Sequence, residues 1–112
     1  MFMKLDYDRF IKLMSFNICP NRCIEICFDI TNELKREQCW LGKTPDKSQK
    51  NQVPVFWMGL TSDGANAFDF DNLTDFLEKK VVFGHSLKEL WDDIDIVSID
   101  GVDPKIALEW YE

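Results

Sequence analysis

The sequence predicts an α+β fold, with a mostly antiparallel sheet of about five strands and helices packed on one face. Three observations carry this reading. Between Cys23 and Ile30, Ile24, Ile26, Phe28 and Ile30 alternate with Cys23, Glu25, Cys27 and Asp29, the period of a strand with one apolar and one wetter face. The strand-like segments follow one another across turn signals, which favours hairpins and antiparallel pairing. Apolar residues at helical spacing flank them on either side. With 112 residues the chain fits one domain, read as 1–112.

In chain order, residues 6–16 predict a helix, with Phe10, Leu13 and Met14 on one side and Asp6 as its cap. Cys19-Pro20-Asn21 ends it. The strand at 23–30 turns at Thr31-Asn32-Glu33 into a second, Arg36 to Leu41, and Gly42 to Gln52 reads as a polar loop. Val53 to Leu60 is expected to be a central strand buried on both faces around Phe56-Trp57-Met58. Ser62-Asp63-Gly64 turns it into the short strand Ala67 to Phe70. Asp71 is then expected to cap a helix running to about Lys79, with Leu73, Phe76 and Leu77 inward. Ser86, three residues before Glu89, opens another helix in capping-box register. Ile94 to Ile99 is a last strand, with parallel pairing at an edge left open, and Asp100-Gly101 turns it. Asp103-Pro104 starts a final helix whose buried residues are expected to be Ile106, Ala107 and Trp110.

Composition narrows the functional classes. Hydrophobic residues make up 46% of the chain, with nine Phe and four Trp, enough for a folded core. No apolar run approaches the roughly 20 residues of a spanning helix, so no membrane segment is expected. Met1 to Lys12 interleaves charges with apolar residues, unlike an export signal, which points to the cytoplasm and to free thiols. Net charge is −7, unevenly spread. Residues 1–60 carry nine Lys/Arg against seven Asp/Glu, and residues 61–112 carry four against thirteen. Such a surface repels nucleic-acid phosphates and attracts basic partners.

Cys19, Cys23, Cys27 and Cys39 could offer four thiolates. On a strand, however, Cys23 and Cys27 are about 13 Å apart, too far to share one zinc ion. Asp63, Asp69 and Asp71 lack the ligand order of a calcium loop. The five glycines are scattered at turns and form no phosphate-binding loop. No cofactor, metal or catalytic residue is therefore assigned. His85, the sole histidine, could act with Cys39 beside a pocket at Trp57, the alternative of a small enzyme or ligand-binding domain. A structural homodimer through an open edge, at 36–41 or 94–99, is a third reading.

The reading preferred is a protein-binding module with an acidic surface, of the kind by which an immunity protein neutralises a basic toxin. Its expected contact residues are Glu89, Asp92, Asp93, Asp95, Asp100, Asp103, Glu109 and Tyr111. Asp92 and Asp93 follow a helix, where negative charge opposes the macrodipole and calls for another explanation.

Overall fold

The computed structural model describes residues 3–15, 23–45, 54–61 and 67–111. The alternating run forms β1 (Ile24–Ile30). It pairs antiparallel with β2 (Arg36–Pro45), setting Ile26 opposite Leu41 and Phe28 opposite Cys39. β2 pairs with β3 (Pro54–Gly59), and β3 with β4 (Ala67–Phe70), where Phe56 faces Phe70. β5 (Ile94–Ile99) flanks β1 on its other side, also antiparallel, giving the order β4-β3-β2-β1-β5. The sheet is thus antiparallel throughout. The segment after β4 crosses to the far edge and returns to the end where β2 and β4 begin, so β5 runs against β1 and the parallel alternative falls away.

The helices are α1 (Tyr7–Met14), α2 (Leu73–Glu78), α3 (Leu87–Leu90) and α4 (Pro104–Tyr111), with a 3-10 turn at Trp91–Asp93 after α3. Asp6 caps α1 by accepting from Arg9 N at 3.4 Å, and Ser86 Oγ caps α3 by accepting from Glu89 N at 3.0 Å. The cap of α2 is Asn72 instead of Asp71. The helix begins one residue later than expected, and Asn72 Oδ1 accepts from Asp75 N at 2.8 Å.

One apolar cluster joins the layers. Leu13, Leu77, Leu87, Ala107 and Leu108 of the four helices meet Ile26, Leu41, Met58 and Ile96 of the sheet. At its centre the Phe76 ring lies 5.4 Å from Phe56, 5.8 Å from Phe70 and 6.5 Å from Phe10. Phe10 stacks on Trp91 at 4.1 Å, and Trp91 Nε1 donates to Leu5 O at 2.6 Å. Lys43 is buried on this side of the sheet, between Ile24 and Phe56. Its stem lies among apolar residues while Nζ donates to Ser15 O at 2.8 Å, at the C-terminal end of α1.

Three burial expectations change. β3 is buried on one side only: Phe56 and Met58 face the core, while Trp57 is half-buried on the side without helices. On α4 the inward stripe is Pro104, Ala107 and Leu108, at the three- and four-residue spacing of one helical face. Ile106 and Trp110 form a different stripe and remain 50% and 52% exposed. The segment 36–41 is no edge, because β2 continues to Pro45 between β1 and β3 and absorbs the start of the expected polar loop. β5 is an edge, but Met3 pairs with Ile96 through hydrogen bonds of 2.8 and 3.1 Å and covers part of it. Cys19-Pro20-Asn21, Ser62-Asp63-Gly64, Val53 and residues 46–52 lie outside the described residues.

Gly42 gives a direct test of this packing. A Cβ there would overlap the backbone carbonyl of Ile24 and stand 2.8 Å from Trp57 Cζ2. Gly42→Ala is expected to lower stability by about 1–3 kcal/mol, read as a reduced urea midpoint with an unchanged slope.

Candidate functional site

The acidic run of the C-terminal half is distributed by the edge position of β5. Asp92, Asp93 and Asp95 sit at the start of this strand, and Asp100 and Asp103 follow its end. Five steps along the strand separate Asp95 from Asp100, about 16 Å. Glu89 lies on α3 and Glu109 on α4, both exposed; the side chain of Tyr111 lies outside the described residues. The eight expected contact residues therefore do not form one compact patch. They fall at two ends of an edge strand and on two helices.

Most of the acids also have a structural task. Asp93 Oδ2 accepts from Asn32 Nδ2 at 3.3 Å, and its backbone carbonyl accepts from Thr31 N and Oγ1. This ties the residue after the helix to the β1–β2 turn. Asp100 Oδ1 accepts from Glu25 N at 2.9 Å, and Asp103 Oδ1 accepts from Lys105 N at 2.9 Å at the start of α4. Asp95 pairs with Lys4 at 2.9 Å, and Glu89 contacts Lys80 at 3.5 Å and His85 at 3.4 Å.

These partners differ in what they do electrically. An amide donor satisfies a carboxylate's hydrogen bonding but leaves its charge, which only a cation cancels. Among the described residues Asp92, Asp93, Asp103 and Glu109 have no cationic partner. Negative charge thus persists along the β5 edge and onto α4.

The strand register reveals a second acidic surface that the sequence reading missed. On the side of the sheet away from the helices, Asp69, Trp57, Gly42 and Glu25 stand opposite one another across β4, β3, β2 and β1. The next row is Ala67, Gly59, Trp40, Cys27 and Ser98. Asp29 and Asp95 stand opposite each other further along. Asp29 is buried where β1 and β2 shift register, and its Oδ1 accepts from Gln38 N at 3.0 Å; Gln38 has a left-handed backbone with φ 57°. These two aspartates, with Thr31, Lys35 and Glu37, line a cleft of about 250 Å³. Of the strand cations, Lys43 points to the core and Arg36 lies 4.5 Å from the Phe83 ring centroid, so the lysines that reach this side are Lys35, in the cleft, and Lys4, paired with Asp95. The signal available in the sequence was the polar half of the β1 alternation. Its neighbours depend on a register that no local pattern specifies.

The alternative constellation does not assemble. Cys39 lies in the core with Sγ 3.6 Å from Leu60 O, Trp57 is on the opposite side of the sheet, and His85 is exposed in the turn before α3. The described cysteines also diverge: Cys23 is exposed, Cys27 faces the helix-free side and Cys39 the core. Burial, then the charges of Asp29 and Glu25, pushes the Cys27 thiol up. Burial, then Asp29 and Cys27, raises Cys39 from 9.0 to about 11, against the lowering effect of Arg36. No described helix is long and apolar enough to cross a membrane. Comparison with known protein families, curated proteins and solved structures returns no match for this chain.

The Cys39 shift sets a pH dependence. Its thiol ionises near 9 when unfolded and near 11 when folded, so its contribution is complete below pH 9 and is lost as pH rises through 11. The expected loss is roughly 2–3 kcal/mol across that interval. Urea melts between pH 8 and 11 should show a steeper alkaline decline in the native chain than in Cys39→Ala; parallel declines would assign the effect elsewhere.

Proposed function

We propose that this chain is a protein-binding module that holds a basic protein partner, acting as an immunity-type protein that neutralises a basic toxin in the cytoplasm. The observation that carries this reading is the set of carboxylates along the β5 edge and α4 that no described cation cancels: Asp92, Asp93, Asp103 and Glu109. A field of one sign speeds encounter with a cationic surface and repels acidic competitors. Structural economy alone gives little reason for it. Exposed ion pairs contribute about 0.2–1 kcal/mol each, and a large net charge opposes compactness through self-repulsion. A toxin whose substrate is polyanionic displays a cationic site, and an acidic protein seated there excludes the substrate.

The test is association with a basic protein encoded beside this chain, followed by stopped-flow or surface plasmon resonance. Raising salt from about 50 to about 500 mM should slow association by at least ~10-fold. Asp92→Lys combined with Glu109→Lys should slow it further at low salt. Neither residue caps a helix, so stability should stay within about 0.5 kcal/mol per substitution. Salt-independent binding, or a partner that is itself acidic, would refute the reading.

A further inference from the structure

We infer that the surface receiving the partner is the helix-free side of the sheet, and that it takes an arginine-bearing segment of that partner. This rests on the basic-partner reading above and adds a location and a chemistry. The four helices contribute their buried residues to one cluster, and Trp40, Val55 and Trp57 take no part in it. They remain half-buried on β2 and β3, outside that cluster. Each tryptophan stands beside a glycine on the neighbouring strand, Trp57 opposite Gly42 and Trp40 opposite Gly59. The Trp57 ring rests over the Gly42 backbone. The absence of a side chain at Gly42 lets the Trp57 indole lie flat against the sheet.

Charge selects the occupant. Asp69 stands directly opposite Trp57 on β4, and Glu25 stands two strands away in the same row. Both are exposed. At a strand spacing of about 4.8 Å, Asp69 is one step and Glu25 two steps from the backbone position of Trp57, on either side of it. A guanidinium stacked on that ring can reach a carboxylate on the adjacent strand, and it is the one cationic side chain that both stacks and pairs with a carboxylate in two-pronged fashion. An ammonium group matches the charge but not the plane. The lysines that reach this face, Lys4 at Asp95 and Lys35 in the cleft with Asp29, stand away from the row of Trp57, Asp69 and Glu25. The exposed stripe of α4, Ile106 and Trp110, is flanked by one charge of each sign, Lys105 and Glu109, and not by acids alone.

The experiment uses the full chain labelled with nitrogen-15, titrated at low salt with a seven-residue arginine peptide and with its lysine counterpart. The indole N–H signals of Trp57 and Trp40 and the amides of Glu25 and Asp69 should shift most. The arginine peptide should bind at least threefold more tightly. Glu25→Gln with Asp69→Asn should weaken arginine-peptide binding fivefold or more, with an unchanged thermal midpoint. Shifts centred on Trp110 or Asp92 would overturn the location and leave the basic-partner reading standing. Equal affinity for the two peptides would overturn the arginine assignment. Absence of shifts with either peptide, together with no salt-dependent association of the basic protein encoded nearby, would remove both readings.

Discussion

Coverage of a single face of the sheet is the constraint from which the other features follow. Ile24, Ile26 and Phe28 of β1 meet Lys43, Leu41 and Cys39 of β2 on one side, and Phe56, Met58, Phe70, Ile96 and Ile99 extend that side across the sheet. Since successive strand side chains alternate between faces, every helix is drawn to this side. Among the described residues, the opposite face carries no helix of this cluster. Tryptophans laid beside glycines supply apolar cover within the sheet, and carboxylates supply solvation. Among the described residues Lys43 is the one charged side chain fully enclosed on the apolar side, and its bond to Ser15 O ties the end of α1 to the strands.

The acidic residues serve two functions that are easily confused. Asp93 fastens the β1–β2 turn, Asp100 binds the start of β1, and Asp103 opens α4. A neutral asparagine could make comparable contacts in several of these places, because the partner is an amide donor and not a cation. The carboxylate therefore adds a field beyond what the local geometry needs. Lys4 compensates the charge at the start of β5 through Asp95, with a further bond to the Asp92 carbonyl. The side chains of Asp92, Asp93, Asp103 and Glu109 have no such cation among the described residues.

Much of the architecture was legible because it is written locally. The β1 alternation, the limits of β4, the Ser86–Glu89 cap and the Asp103-Pro104 helix start are each contained in a few neighbouring residues. The misses share a physical origin. Whether Trp57 is covered depends on which helices reach its side, and whether Trp110 is buried depends on which stripe of α4 meets β5. Asp71 and Asn72 are both good caps, and the choice is fixed by where α2 begins. The candidate site is a stronger case. The acids at 89–109 were visible as a run in the chain, yet the fold spreads them over two strand ends and two helices. Asp69, Trp57, Gly42 and Glu25, scattered over more than forty positions, become neighbours only through pairing register.

Edges and faces of this sheet offer partners different opportunities. β4 is four residues long with Asp69 exposed, and β5 is partly paired by Met3, so neither offers a long, unpaired apolar edge for another chain to extend. Among the described residues, the side without helices is a broad one whose backbone is engaged in ladders. A surface held from within by hydrogen-bonded strands loses little freedom when something docks on it. Its recognition must then come from side chains, by aromatic stacking and by charge, and not by strand addition. On this molecule both of those resources, Trp40 and Trp57 with Glu25 and Asp69, occur on the side that the helices do not reach.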